Sequence, residues 1–250
     1  MKLRWLMLTS GILALLSTLL TVLALGSDYW LLSSEPCTRN ETELEAAISS
    51  VSLSRSFSPR PSLASQSPCR LLSHEGLWWR CWGRGSEVEV SLATFCYSNQ
   101  MTPKLCRHAT LNPFPLAWND LGESDNAFSA YCVRLAWAVL LSLSAVSALL
   151  ASLILLTAAT FMHGRLFLIT GILYLLTALF LILTIILFIS WVNLAPMLLP
   201  QVSNFHSPML SLSQIPGPSL FIAVAAAILS LPAALGLLLS SRRCSINVPH

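Results

Sequence analysis

VRLAWAVLLSLSAVSALLASLILLTAATFM (residues 133–162) is separated by only His163, Gly164 and Arg165 from LFLITGILYLLTALFLILTIILFISW (residues 166–191). About 20 apolar residues suffice for a helix to cross the roughly 30 Å hydrocarbon core of a bilayer. Lipid offers the backbone no hydrogen-bond partners, so each stretch must satisfy its own polar groups as a helix. We therefore predict two transmembrane helices joined by a tight turn, both long enough to tilt or to extend beyond the core.

Two further stretches, residues 5–26 and 220–241, are also long and apolar enough to span a membrane. Hydrophobic residues make up 55% of the 250 and charged residues only 10%, against about 25% charged in a typical soluble domain. The mean hydropathy is +0.70. These values predict an all-α membrane protein with four transmembrane helices. The net charge of +3 is small and scattered, which predicts no nucleic-acid partner.

The positions of Lys and Arg beside the spans predict the orientation, because cytosolic loops are enriched in these residues. If the chain crosses four times, three basic sites fall on one side: Lys2 and Arg4, Arg165, and Arg242 and Arg243. Residues 1–4, 163–165 and 242–250 are then cytosolic, and the loops 27–132 and 192–219 lie outside. We expect a multi-pass protein of the plasma membrane.

The first span has an alternative interpretation as a cleaved signal peptide. Ala24-Leu25-Gly26 has the small-x-small form of a signal-peptidase site, and Lys2 and Arg4 would form the basic region before it. The apolar run of about 21 residues is longer than the usual 7–15 of a signal peptide. Its length favours a membrane span, and both interpretations stay open at this point.

The two outer loops differ in composition. Residues 33–69 are rich in Ser and Pro and predict a flexible excursion. It contains the sequon Asn40-Glu41-Thr42, so we expect N-glycosylation at Asn40. The loop 192–219 contains five prolines, which predicts no regular folded unit there.

An aromatic segment follows the excursion. His74 to Trp82 contains three tryptophans, Gly83 to Ser86 is typical of a turn, and Glu87 to Leu92 alternates polar and apolar residues. This pattern predicts an antiparallel hairpin from Trp78 to Tyr97. The tryptophans indicate a small extracellular core, which is favoured, or an aromatic binding face, and the two are compatible.

Six of the seven cysteines fall outside the membrane or at its boundary: Cys37, Cys69, Cys81, Cys96, Cys106 and Cys132. The extracellular space is oxidising, so disulfides are expected among them, but six cysteines allow 15 connectivities. Zinc is disfavoured, since no C-x-x-C pair is present. Cys244, beside two arginines, is a candidate for S-palmitoylation, and an unmodified thiol is the alternative.

A family resemblance rests on Trp30, on Gly76-Leu77-Trp78 followed by Cys81, and on Arg134. These residues resemble the signature of the claudin and peripheral myelin protein superfamily. Further stretches resemble the transmembrane protein 182 group within it: residues 26–32, 74–76, 79–82 and 97–100, Cys106, Pro113 and Pro115. The resemblance covers the first two helices and most of the first loop, whereas the last two helices match only in hydropathy.

The resemblance implies a left-handed four-transmembrane-helix bundle with a small extracellular antiparallel β-sheet within residues 74–106. It also implies a Cys81–Cys106 disulfide, with Cys37–Cys69 closing the excursion. Cys96 and Cys132 are left unassigned.

Charged residues are absent from the predicted spans, apart from Arg134 at a boundary. Buried charges usually mark ion or proton pathways, so a pump, a proton-coupled transporter and an intramembrane protease are disfavoured, as is a pore with a charged lining. We expect no enzyme, no catalytic residues, no metal and no cofactor.

Two functions are weighed. The resemblance implies an accessory subunit that binds laterally to a receptor, a channel or an adhesion receptor such as an integrin, with a role in muscle-cell differentiation. The alternative is a claudin-type junction protein. The C-terminal residues 247–250 lack the PDZ-binding ending of junctional claudins, and a glycosylated excursion would hinder stacking between cells, so the accessory interpretation is favoured. Homo-oligomerisation is left open.

Overall fold

A computed structural model describes residues 2–36, 70–85, 105–109, 125–161, 164–202 and 213–246. The chain divides into two units. The helical unit takes the chain up to Ser27, residues 111–203 and the residues from Pro218 onward. The sheet unit takes residues 28–110 and 204–217.

Four helices make up the described part of the helical unit: α1 (Lys2–Gly26), α2 (Asp125–Phe161), α3 (Gly164–Val202) and α4 (Pro218–Ile246). Each contains a segment long and apolar enough to cross a membrane, namely Trp5–Gly26, Tyr131–Phe161, Gly164–Asn193 and Pro218–Arg243. The predicted fold class with four spanning helices is confirmed.

Two helices are longer than their predicted spans. α2 begins at Asp125, inside the segment before residue 133 that we expected to be loop. An acidic residue at a helix N-terminus interacts favourably with the helix dipole, so the helix can start well before the apolar run. α3 continues beyond residue 191 to Val202, past Pro196 and Pro200. Proline removes one hydrogen bond and bends a helix without always ending it.

The helices pack as a ring in which α1 contacts α4 and α2, and α3 contacts the same two helices. Lipid supplies no hydrophobic driving force between helices, so their association depends on close packing. Small side chains at the contacts let the helix backbones approach closely. The core contains Ala14, Ala151, Ala158, Ala233 and Ala234 around Tyr174 and Leu237.

Hydroxyl groups cross-link the helices inside this core. The hydroxyls of Thr18 on α1, Ser152 on α2 and Tyr174 on α3 lie within 2.8–3.0 Å of one another. A second pair, Ser147 and Thr177, joins α2 to α3 at 2.8 Å. Each of these five hydroxyls therefore has a partner on another helix, which avoids the cost of burying it unsatisfied in an apolar setting.

The sheet unit contains five described strands: β1 (Leu31–Pro36), β2 (Arg70–Glu75), β3 (Trp79–Gly85), β4 (Leu105–His108) and β5 (Ser213–Pro216). Their order is β4-β3-β2-β1-β5, and every pair is antiparallel. The predicted small antiparallel sheet is confirmed.

Two local predictions in this unit were wrong: residues 33–36 belong to β1 rather than to the flexible excursion 33–69, and Gly83 to Gly85 continue β3 rather than forming a turn. Residues 213–216 of the proline-rich loop form no folded unit of their own but join the sheet as β5. In each case a cross-strand partner supplies the ladder, as in the pairing of Gly83 with Leu72, and tertiary pairing overrides local turn propensity. Residues 87–97, the second half of the predicted hairpin, lie outside the described residues.

Candidate partner-binding surface on the sheet unit

The signature Gly76-Leu77-Trp78 forms the connection between β2 and β3. The amide of Gly76 donates a 2.9 Å hydrogen bond to the carbonyl oxygen of Trp79, so only Leu77 and Trp78 lie in the loop. The amide of Ala109, just after β4, donates a 2.8 Å bond to the carbonyl oxygen of Trp78. Both bonds fix the backbone of the loop against its neighbours.

The aromatic residues divide into a buried and an exposed group. Trp30 and Leu77 are buried, whereas Trp78 is 42% exposed and Trp79 is 39% exposed. The indole of Trp79 stacks on the imidazole of His108, with the ring centroids 4.0 Å apart. We call the exposed set of Trp78, Trp79 and His108 the aromatic surface.

A disulfide joins Cys81 to Cys106, two residues along β3 and β4 from the Trp79–His108 pair and on the same face of the sheet. The two residues are register partners of β3 and β4, so the bond links adjacent strands. It is the pair that the family resemblance implied. By closing a loop of 25 residues, it restricts the unfolded chain and holds the strand that carries His108 beside the strand that carries Trp79.

Polar groups with well-defined neighbours surround His74. The ring of Tyr29 stacks on the imidazole of His74 at 4.4 Å, and His74 Nδ1 lies 3.0 Å from the carbonyl oxygen of Asp28, to which it donates. Burial raises the pKa of the Asp28 carboxyl above its ordinary value, although the Trp79 backbone amide and the His74 charge counteract this shift. These contacts position the chain that leads into β1.

An ion pair crosses β2 and β3. The carboxylate of Glu75 is 4% exposed, and its Oε2 lies 3.9 Å from Nε of Arg80. The two residues face each other in the strand register. A buried carboxylate is costly without a compensating charge, and the guanidinium of Arg80 supplies that charge. Among the described residues no cluster of three His, Cys, Asp or Glu side chains could hold a metal ion.

The signature arginine belongs to the helical unit. Arg134 on α2 is 3% exposed, and its guanidinium carbon lies 4.2 Å from the centre of the Trp137 ring. The ring of Trp137 in turn contacts Phe188 on α3, with centroids 5.6 Å apart. A cation over an aromatic face is stabilised by the ring quadrupole, so α2 can bury this charge near the start of its spanning segment, Tyr131–Phe161.

The remaining predicted sites are Asn40 and the other cysteines, most of which the structure does not describe. Asn40, Cys37, Cys69 and Cys96 lie outside the described residues, so glycosylation and the second disulfide stay predictions. Cys244 lies in α4, but its side chain is outside the described set. Cys132 is exposed on α2, and its thiol forms no disulfide with any described residue.

Sequence reasoning missed several residues that shape this surface. His108 was not singled out, although it stacks on Trp79. Gly217 follows β5, and its amide donates a 2.8 Å bond to the carbonyl oxygen of Trp30. No local motif predicts either contact, since both depend on strands that pair across long sequence separations.

Comparisons with known proteins agree with this architecture. The family model described as PMP-22/EMP/MP20/Claudin tight junction matches residues 15–240. Transmembrane protein 182 from Mus musculus is 32% identical over 179 residues, 71% of this chain and 68% of the mouse protein. The protein of that name from Xenopus tropicalis is 31% identical over 186 residues, 73% and 71% of the two chains. The Homo sapiens protein is 30% identical over 179 residues, 71% and 68%.

Proposed function

The chain belongs to the PMP-22/EMP/MP20/claudin family, and from this premise we propose that it is a non-enzymatic accessory subunit of another membrane protein. The sheet unit faces the extracellular space, the termini are cytosolic, and the protein acts in the plasma membrane. The partner is a receptor or a channel, and by family resemblance an adhesion receptor such as an integrin. The same resemblance suggests a role in muscle-cell differentiation.

The observation that carries this proposal is the exposure of Trp78 and Trp79 at the end of a braced sheet. Large exposed apolar side chains cost solubility, and they are enriched at the centres of protein interfaces. Tryptophan is also the residue most often found to dominate binding energy in such interfaces. The stack of Trp79 on His108 and the neighbouring disulfide fix the aromatic surface before binding, which reduces the entropy lost on binding.

The helical unit supports a lateral association with the same partner. Many of its described hydroxyl groups bond to other helices or to carbonyls of their own helix, as Thr157 does to Ile154 at 2.8 Å. The outward residues of α1 and α3 are chiefly Leu and Ile, so the lipid-facing surface is apolar and suited to contact with lipid or with the apolar helix of a partner. Specific recognition is therefore assigned to the aromatic surface.

The experiment is to cross-link the full-length protein at the surface of intact cells and to identify co-purified proteins by mass spectrometry. Wild type is compared with Trp78→Ala and Trp79→Ala at equal surface amounts. Trp5→Ala is the matched control, because Trp5 is an exposed tryptophan at the far end of α1. Loss of a hot-spot tryptophan should reduce recovery of the partner at least about tenfold.

Recovery of the same partner by all four proteins would contradict a role for the aromatic surface. The family description includes tight junctions, which favours one second candidate, a junction protein that assembles with copies of itself. If cross-linking yields only oligomers of this protein, concentrated at cell contacts, the junction function would replace the accessory function.

A further inference from the structure

One end of the helical unit carries basic charge without any acidic residue. All eleven Asp and Glu residues of the chain lie between Asp28 and Asp125. The hydroxyl of Ser17 donates to the carbonyl of Ala226, while Ser10 packs against Gly236, so α1 and α4 run antiparallel. The start of α1 therefore lies at the same end as the end of α4.

A hydrogen bond brings two further basic segments together at this end. The hydroxyl of Ser241 on α4 donates a 2.8 Å bond to the carbonyl oxygen of Gly164, the first residue of α3. Arg165 and Arg242 are the next residues on either side, followed by Arg243, and all three are exposed. Among the described residues the one ion pair joins Arg80 to Glu75, so these three guanidinium groups have no carboxylate partner within the described part.

An exposed tryptophan places this end at the surface of the membrane. Trp5, in the first turns of α1, is 65% exposed, and Phe161, the last residue of α2, is 70% exposed. Tryptophan and tyrosine side chains concentrate at the level of the lipid headgroups, which places Trp5 there. The arginines beside them therefore lie where lipid phosphates lie, rather than in bulk water.

We propose that Arg165, Arg242 and Arg243 bind the headgroup of a phosphoinositide. Each guanidinium can form a two-pronged hydrogen bond to a phosphate, and basic clusters next to a transmembrane helix attract such lipids. Three guanidinium groups match a lipid headgroup with several phosphates better than a headgroup with a single net charge. Lys2 and Arg4, at the start of α1, add positive charge at the same end. The proposed orientation determines only which leaflet supplies the lipid.

The test uses the full-length protein purified in a neutral detergent. It is incubated with equal amounts of phosphatidylinositol bisphosphate, phosphatidylserine and phosphatidylcholine, and the bound lipid is counted by native mass spectrometry. The wild-type protein should retain the phosphoinositide in preference to phosphatidylserine and phosphatidylcholine. Removal of each arginine should weaken retention of the phosphoinositide about fivefold. The triple variant Arg165→Gln/Arg242→Gln/Arg243→Gln should therefore retain it on the order of 100-fold less strongly than wild type.

A control with the same loss of charge is Arg70→Gln/Arg84→Gln/Arg107→Gln, whose three positions lie in β2, β3 and β4. It should retain the lipid as wild type does, and equal loss in both triple variants would overturn the proposal in favour of overall charge. Soluble inositol trisphosphate should compete poorly, because it has no acyl chains. Equally strong binding of the soluble compound would overturn a lipid site.

Folding and function are separated in the same experiment. Arg243→Gln alone, near the end of α4, provides a variant that leaves the Ser241 contact in place, and its expected loss is about fivefold. Thermal unfolding of each variant identifies any that misfold. Both ends of the protein are accessible in detergent and no partner is present, so failure here would leave the proposed accessory function intact.

Discussion

The hydroxyl of Tyr174 lies 3.0 Å from that of Thr18 although the two residues are 156 positions apart. The hydroxyl of Ser152 lies within hydrogen-bond distance of both, so one cluster connects α1, α2 and α3. Hydrogen bonds between membrane helices contribute about 0.6 kcal/mol on average and up to about 1.7 kcal/mol. This cluster is thus a measurable part of the stability of the helical unit.

Thr18→Val should lower the free energy of unfolding of the helical unit by about 1–2 kcal/mol, because valine keeps the shape and removes two interhelical bonds. Unfolding in mixed detergent micelles measures the loss. Thr157→Val is the control, since the Thr157 hydroxyl bonds only to a carbonyl of its own helix. Equal losses in both variants would show that the cluster does not connect the helices.

Gly217→Ala should destabilise the sheet unit by about 2–4 kcal/mol. A Cβ at this position would overlap with the backbone carbonyl of Tyr29, which cannot move without displacing the start of β1. Limited proteolysis near residues 213–217 should then become faster. Gly11→Ala is the matched control, because a Cβ there meets open space, and alanine favours helix by up to about 1 kcal/mol. Wild-type proteolysis of the Gly217 variant would contradict the close approach.

Cys106→Ser should cost the sheet unit about 2–5 kcal/mol and reduce the amount of protein at the cell surface. It also leaves Cys81 with a free thiol, which mass mapping with an alkylating reagent should detect. Cys132→Ser should change neither quantity, because Cys132 forms no disulfide with a described residue. A normal surface amount for the first variant would show that the bond is dispensable for folding.

Asp28→Asn should flatten the pH dependence of the stability of the sheet unit. Burial raises the folded pKa of this carboxyl above 3.8. The folded state therefore binds the proton more tightly, and wild-type stability declines as pH rises from 3.8 through the raised value. Asparagine does not ionise, so this decline should disappear from the melting temperature measured across the window. Parallel curves for the two proteins would contradict the assignment.

Asn40→Gln should abolish a mobility shift that peptide N-glycosidase produces in the wild-type protein. Glycan is added only to segments that face the lumen during synthesis, so the shift also tests the orientation of residues 27–132. Thr42→Ala should act identically, because it destroys the same sequon while keeping Asn40. Persistence of the shift in both variants would require another attachment site.

The sequence predicts the parts of the structure that the surrounding lipid determines, which are the transmembrane helices. Lipid requires long apolar helices with satisfied backbones, so residues 133–162 and 166–191 identify their spans without knowledge of any partner. The Cys81–Cys106 bond followed from family resemblance, since the number of connectivities prevents a choice from spacing alone.

The parts that sequence reasoning missed depend on distant partners. β5 has only four residues and contains a proline, so its local signal is that of a loop. It is a strand because its register with β1 pairs Ser33 with Gln214. The role of His108 escaped detection for the same reason, because only the pairing of β3 with β4 brings it to Trp79.

The position of β5 also has a consequence for biogenesis. β1 ends at Pro36 and its neighbour β5 begins at Ser213, so the 176 residues between them must be translated first. At about 5–20 residues per second, this takes roughly 9–35 s. One edge of β1 stays open throughout that interval, and open strand edges recruit chaperones or other nascent chains. The sheet is therefore completed only after the first three transmembrane helices have been translated.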